Sequence, residues 1–514
     1  MATAVLGAAL LALLLQASAY PDCLSDDAFI SFRYAGNWAS GHGLVFNPGE
    51  ERPVEGYTNF LWTAGLAAAM GLGVDPEPFA RRLGLLLALL AQIATFGVAR
   101  RLWPDRPARW PLPACLLAAN SFFVVEAIQG LETALFACLL TTACLAWLPD
   151  PAETGPSPGR QVALGLLLGL AALTRPEGLA LAAILLGWGA VAGRAHGSGR
   201  SLRPIAVPAL IVATCVIGHL LFRLATYGDW LPNTFHAKTG GGLRQALRGL
   251  HYVATGWWRL LPWPVLACGA LLMRARSRLG PVAALWAAST AGVILVGGDF
   301  KPTFRFLVWT LPLLALLATA GAARIMPRGR GSLLTERALL AAAVSVAICW
   351  SWFGTRPARE FARQRPIDLM YLRQASTWFD EHLPEDAVLA TGPSGAIPYY
   401  TGRQTVDMWG LNQREIARRR MPSMGRGAPG HEKGDGRVVL AARPDVILFT
   451  AVRFTPAPFP ESDLARLPDA ALSVSERELL TLPGFRQEYR WRSVSIPAGT
   501  LNFFERRPAA REEE

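Results

Sequence analysis

The chain has 514 residues, of which 52% are hydrophobic and only 17% charged, and its mean hydropathy is +0.28. Soluble domains carry about a quarter charged residues, so an ordinary cytosolic enzyme is excluded. The 17 Trp, 9 Tyr and 23 Phe exclude bulk disorder. The net charge of +12 does not indicate nucleic acid, because the arginine excess lies in short loops between apolar runs rather than in a basic stripe interleaved with aromatics.

Met1 to Ala19 is apolar without a basic start, and Ala17-Ser18-Ala19 has the form of a signal-peptidase site. Later segments need this run as a membrane span. Further spans are predicted at 83–98, 111–128, 131–148, 161–174, 178–193, 204–224, 258–273, 281–297, 306–323 and 337–353. Arginines fill four loops: Arg100, Arg101, Arg106 and Arg109; Arg194, Arg200 and Arg203; Arg274, Arg276 and Arg278; Arg324, Arg328, Arg330 and Arg337. Two or four spans separate consecutive loops, so all four lie on the cytoplasmic side together. That parity predicts a polytopic α-helical membrane protein with 11 spans and a cytoplasmic N-terminus, in a bacterial inner membrane. The short apolar run Asn59–Leu72 is then a re-entrant or juxtamembrane helix.

The outer side holds 20–82, 226–256, 298–305 and 354–514. From Gly354 the apolar runs shrink to strand length, at Ala387–Thr391, Thr405–Met408, Val446–Thr450 and Tyr489–Ile496, after a helical stretch Ile367–His382. This divides the chain into a membrane domain, 1–353, and an extracytoplasmic α/β domain, 354–514. Arg418–Gly436, basic and Gly-rich, reads as a mobile loop, and Arg511–Glu514 is a charged tail. Six of the seven cysteines lie in apolar runs and there is no CxxC, which speaks against a disulfide framework or a zinc site.

In the first outer segment, Phe29, Phe32 and Arg33 recur at helical spacing, as in an amphipathic helix on the membrane surface. Ser25 stands at its N-cap and Asp26 and Asp27 in its first turn, where the helix dipole favours carboxylates. A turn-rich stretch, Gly41 to Glu50, leads to Glu55-Gly56-Tyr57-Thr58-Asn59. Nucleotide-binding signatures are missing: no GxxxxGK[ST] occurs, and the one GxGxxG by letter, Gly425 to Gly430, follows no strand. Gly392-Pro393-Ser394-Gly395 is not a nucleophile elbow.

The runs DDAFISFRYA, GHGLVFNPGE and EGYTNFLW resemble the first periplasmic loop of GT-C glycosyltransferases, in particular the mycobacterial terminal β-(1→2)-arabinofuranosyltransferases. The resemblance continues through Thr174–Gly178, Gly298–Phe306, Gly395–Tyr400 and Asp407–Leu411, covering residues 24–411. It implies sugar transfer, with inversion, from a polyprenyl-phosphate donor to a cell-envelope glycan acceptor, with the lipid bilayer as a partner. An acidic residue opening the first loop is the family's base. This position matches Asp26, with Asp27 as its orienting or acceptor-binding neighbour, or the two in the reverse order.

A lipid-phosphate leaving group needs positive charge where negative charge develops. Arg175, Lys301, Arg305 and Arg33 are the candidates, with snorkelling to headgroups, or for Arg175 pairing with Glu177, as the structural alternatives. Glu126, Glu132, Glu177, Tyr57, His236 and Lys238 are candidates for the sugar or acceptor cleft, and Tyr399, Tyr400 and Trp409 for stacking on sugar rings. No metal-spaced cluster occurs and no cofactor is assigned, although a single Mg²⁺ or Ca²⁺ on Asp26 or Asp27 is compatible with one-carboxylate sites. Two other readings stay open: a transporter or flippase of lipid-linked sugars, and a non-catalytic envelope-assembly scaffold.

Overall fold

A computed structural model describes residues 1–149, 157–195, 203–271, 278–325 and 333–508. Arg200, Arg274, Arg276, Arg328, Arg330 and the tail Arg511–Glu514 lie outside them. Among the described residues two helices are long and apolar enough to cross a membrane, Pro76–Leu102 and Ile205–Tyr227, accompanied by eight apolar helices of 10–17 residues. The span expected over 111–128 is instead a broken one: Pro107–Ala118 and Ser121–Ile128 meet at a 62° bend. Asn120 makes the break, its side chain accepting from the Phe122 and Phe123 amides at the start of the second piece. The count of eleven spans rests on the charge pattern alone.

The helix Pro76–Leu102 opens on an Asp75 cap with proline in its first turn and closes on Arg100 and Arg101, matching the helix dipole at both ends. Small residues let backbones approach. A Cβ added at Gly84 would lie 2.0 Å from the Ala127 carbonyl oxygen, so this helix meets Ser121–Ile128 backbone to backbone. Around that contact Phe122, Phe123, Phe136 and Trp309 are fully buried. All seven cysteines are free.

The helix Asp26–Ala39 is not a surface helix. Every residue from Ala28 to Ala35 is buried, because the C-terminal α/β region lies over the face that was expected to meet lipid. Phe29 packs on Tyr399 and Tyr400 at ring-centroid distances of 5.5 and 5.3 Å. On the other side, Tyr34 meets Tyr57 at 4.9 Å. Glu55 forms a buried ion pair with Arg223 and so ties the segment to the helix Arg203–Tyr227.

The C-terminal α/β region follows the long helix Arg356–His382. Its strands are β1 (Leu389–Thr391), β2 (Thr405–Asp407), β3 (Val446–Leu448), β4 (Phe454–Thr455), β5 (Tyr489–Ile496) and β6 (Gly499–Arg506). The order is β2-β1-β3-β6-β4, with β5 on the other edge of β6. β1, β2 and β3 are parallel; β6 runs antiparallel to β3, β4 and β5. The three short parallel strands are buried at every residue, as expected where both faces of a sheet are covered.

Candidate functional site

The Asp26–Ala39 helix starts at Ser25, whose hydroxyl leaves the cap unmade and accepts from Lys301 Nζ at 2.6 Å. Adjacent helical residues point about 100° apart, and the two aspartates accordingly go to different partners. Asp27 Oδ2 receives both Lys301 Nζ and Arg305 Nη1, each at 2.9 Å. Its other oxygen accepts no hydrogen bond among the described residues, and the side chain is 30% exposed. Burial would raise the Asp27 carboxyl, but Lys301 and Arg305 outweigh it and hold the group well below the carboxylate range.

Asp26 turns toward the α/β region. Its Oδ1 accepts from the Ala396 amide at 2.9 Å and its Oδ2 from the Gly395 amide at 3.2 Å. Burial raises its pKa, with the Ala396 amide opposing. Only glycine fits at 395, since a Cβ there would stand 1.9 Å from the Asp26 carbonyl oxygen.

The loop supplying the cations is shaped by its backbone. Gly297 and Gly298 both have positive φ, and Phe304 is left-handed at φ 53°. Phe304 holds that conformation while buried against Phe122 and Tyr252, so the surroundings impose the strain. This brings Lys301 and Arg305 to the same carboxylate. Arg305 also places its Nε 2.9 Å from Asp299 Oδ2, an ion pair without hydrogen-bond alignment. Burial works against the Arg305 cation, yet Asp299 and Asp27 raise its pKa.

Arg175 forms a second, adjoining cluster. It donates to Glu132 Oε1 at 2.6 Å and to Glu177 Oε1 at 3.0 Å, so the pairing with Glu177 is present and Glu132 joins it. Asn59 secures the other Glu132 oxygen at 3.0 Å. Arg175 and Arg305 both lie over the Phe306 ring, each at 5.2 Å. Glu126 is fully buried, accepting from Gln129 at 2.7 Å.

Lys238, at the end of the helix Asn233–Lys238, completes the cation set. Burial lowers its pKa and Arg305 adds to the effect, against Asp27 and Asp299. No anion pairs with its ammonium among the described residues. His431 roofs the cluster from the α/β region, its ring 3.9 Å from Trp409 and 4.4 Å from Phe300. Burial lowers its pKa to about 4, leaving the imidazole neutral at pH 7.

The segment carrying His431 was expected to be mobile and is docked instead. Glu432 and Lys433 are buried. Glu432 Oε1 accepts from the Gly425 and Gly427 amides at 2.7 and 2.9 Å, and its Oε2 pairs with Arg248 at 2.8 Å.

Other candidates stand elsewhere. Arg33 is not free for phosphate: its guanidinium donates to Phe46 O at 2.6 Å, to Asn47 Oδ1 at 3.0 Å, to Arg403 O at 2.7 Å and to Pro398 O. It is a staple between the first segment and the α/β region. Tyr57 is buried against Tyr34 and Tyr227. Tyr399 is occupied by Phe29 and Phe32, and Tyr400 by Glu77 at 2.7 Å and Arg373 at 2.9 Å. They fasten the region rather than face a glycan. His236 sits beside Asp229, 3.7 Å away. Trp409 is held over Gly392, where a Cβ would come within 2.7 Å of its ring.

His431 and Asp299 were missed as site residues. A histidine two residues before a lysine in a Gly-rich stretch carries no local signal. Asp299 sits next to a positive-φ glycine pair and two residues before Lys301, which was the available cue. The donor set does not suit a resident divalent ion: Asp27 Oδ2 already carries two cations, and the next charge facing it is the Lys238 ammonium.

Residues 360–500 match a family described as a domain of unknown function, DUF8728. The terminal β-(1→2)-arabinofuranosyltransferase of Mycobacterium tuberculosis is 29% identical over 278 residues, 50% of this chain and 42% of that protein. The chain thus spans less than half the length of that relative. Among solved structures, ArnT from Cupriavidus metallidurans bound to undecaprenyl phosphate superposes with a TM-score of 0.63 at 14% identity, covering 98% of this chain and 97% of that one. The Archaeoglobus fulgidus oligosaccharyltransferase in complex with zinc and sulfate gives 0.55 at 14% identity, over 97% and 72% of the two chains. The chain therefore shares its fold with ArnT and with the archaeal oligosaccharyltransferase, and among its described residues two helices are long and apolar enough to cross a membrane.

Proposed function

We propose that the protein is a glycosyltransferase that moves a sugar from a polyprenyl-phosphate donor to a glycan acceptor outside the cytoplasm. The likeness to the mycobacterial enzyme favours arabinofuranose as the sugar. Residues 1–353 form the membrane domain, with the N-terminus cytoplasmic, and 354–514 an extracytoplasmic domain over the cleft. The observation that carries the reading is Asp27: one oxygen holds Lys301 and Arg305, and the other accepts no hydrogen bond among the described residues while Lys238 and His431 lie within its electrostatic reach.

In this mechanism the donor phosphate takes its place on Lys301, Arg305 and Lys238, which stabilise the charge it gains as it leaves. The acceptor hydroxyl oxygen attacks the anomeric carbon from the opposite face. The bond from that carbon to the phosphate oxygen breaks, its electron pair stays on the phosphate, and the hydroxyl proton passes to Asp27 Oδ1. The sugar is inverted. Phosphate binding draws the two cations away from Asp27 and so restores proton affinity to a carboxylate that they hold acidic in the empty site. The base role thus goes to Asp27, and Asp26, beside it on the same helix, positions it by anchoring that helix to the Gly395 and Ala396 amides of the neighbouring domain. Glu132 and Glu177 hold Arg175 over the Phe306 ring that it shares with Arg305, and Glu126 adds negative charge near Lys301 and Arg305.

The test uses the purified protein in lipid with a panel of polyprenyl-phosphate sugars and glycan acceptors, following release of the lipid phosphate. Turnover by the wild type that collapses in Asp27→Asn and falls less in Asp26→Asn is the expected result. Equal turnover in all three proteins would overturn the carboxylate mechanism.

A further inference from the structure

A second binding feature lies away from the aspartates. A furrow of about 680 Å³ runs between the helices Ala2–Ser18, Leu112–Ala118 and Leu333–Gly354. Small side chains, Ala9, Ala12 and Ala118 among them, form its floor, and Arg359 and Arg363 close one end. Along the first helix the lining reaches from Ala9 to Tyr20. At about 1.5 Å per residue that is roughly 16 Å, about half of a ~30 Å hydrocarbon core. The furrow is therefore one leaflet deep.

Three observations place its charged end at the headgroup level. Trp350 and Trp352 are each 44% exposed and Phe353 is 76% exposed at the end of their helix, the pattern of an interfacial aromatic belt. Arg359 and Arg363 follow within the next helix, one turn apart and on the same face. The Arg359 guanidinium lies 4.0 Å over the Trp352 ring, and its Nη1 is anchored on Ser121 Oγ at 3.1 Å.

The local charge is positive and uncompensated. Glu360, the nearby carboxylate, is taken by Arg356 at 2.6 Å. No carboxylate pairs with Arg359 or Arg363 among the described residues. Gln16, on the wall below, donates to Ala118 O at 3.2 Å, while its Oε1 is buried without a partner.

We infer that this furrow is a site for an anionic diacyl phospholipid, with the phosphate on Arg359 and Arg363 and one acyl chain laid along the alanine floor. A chain that ends within one leaflet fits the depth, and two guanidiniums with no counter-ion fit the phosphate. The helix bearing both arginines, Arg356–His382, is also the one that leads into the α/β region. The bound lipid would thus steady the seat of that region on the membrane helices.

The full-length protein, stripped of lipid in neutral detergent, is titrated with phosphatidylglycerol or phosphatidylcholine and read by native mass spectrometry. Phosphatidylglycerol adducts are expected on the wild type. Arg363→Gln should reduce them about fivefold, the weight of one basic residue near an anionic lipid surface, without changing phosphatidylcholine adducts. Ala12→Trp, which fills the furrow from an exposed position and leaves both arginines intact, should reduce them as well. Melting curves confirm that both variants are folded. Equal retention of the two lipids, or phosphatidylglycerol retention that Ala12→Trp does not change, would overturn the site. Preferential capture of polyprenyl phosphate at equal concentration would overturn it too, by assigning the furrow to the donor's carrier.

Discussion

Lys301 Nζ lies 2.9 Å from Asp27 Oδ2, and the lysine is only 3% exposed. A buried ammonium requires a fixed anion, so this aspartate has a structural duty beside the chemical one proposed for it. Asp27→Asn should cost roughly 3 kcal/mol or more by stranding the lysine charge, and about 10²- to 10⁴-fold in turnover by removing the base. The double variant Asp27→Asn with Lys301→Met isolates the stability cost, because it removes the stranded charge. Its melting temperature should recover toward the wild type, and one as low as that of Asp27→Asn would deny the structural duty; the chemical cost is read from turnover of folded Asp27→Asn alone.

Asp26 serves the junction with the α/β region through the Gly395 and Ala396 amides. Asp26→Asn keeps one acceptor oxygen and should cost about 1–2 kcal/mol, with a smaller loss of turnover than Asp27→Asn. Gly395→Ala forces a Cβ against the Asp26 backbone and should cost about 1–3 kcal/mol. Limited proteolysis would show it as faster cleavage within 354–514; an unchanged digestion pattern would speak against the contact.

His431 supplies a pH test. Its pKa falls to about 4 on burial from an ordinary 6.5, so between those values the unfolded chain binds a proton that the folded chain refuses. Stability therefore decreases as pH drops from 6.5 toward 4 and is insensitive to this group above 6.5. Glu50 works in the opposite sense: burial raises it to about 7, so its contribution is lost as pH rises from 4.5 to 7. Subtracting the His431→Phe melting profile from the wild type isolates the histidine, with a difference of up to about 3 kcal/mol across the acid window. A flat difference curve would place His431 in water.

Arg175 bridges Glu132 and Glu177. Arg175→Lys cannot span both carboxylates with one ammonium, and a loss of about 3 kcal/mol is expected. A double-mutant cycle of Arg175→Gln with Glu132→Gln should give a coupling above about 1 kcal/mol. Additive effects would mean that the pair does not act as a unit.

Local pattern made part of this legible. The apolar periodicity marked the helices, the shrinking runs after Gly354 fell on β1, β2, β3 and β5, and a short loop between two spans left Lys301 and Arg305 little choice of surroundings. Asp27 was legible as half of a pair whose roles only the partners could divide. What spacing could not reveal was contact between distant segments. Arg33, Tyr57, Tyr399 and Tyr400 carry the side chains of a binding cleft, yet Arg33, Tyr399 and Tyr400 are consumed by packing between the first segment and the α/β region, and Tyr57 by packing on Tyr34 and Tyr227. His431 arrives in the site through the docking of its loop by Glu432 and Arg248, a tertiary event with no periodic signature.

The junction through Asp26 also bears on how the protein is made. Its two sides are 369 residues apart, which at about 5–20 residues per second is roughly 20 to 70 seconds of translation. Throughout that interval Asp26 lacks its amide partners and His431 has not been synthesised, so the nascent chain carries its aspartates, joined only late by Lys301 and Arg305, without a finished pocket. The pocket is complete only once the segment carrying His431 has been made and seated, so a half-made chain has no closed site.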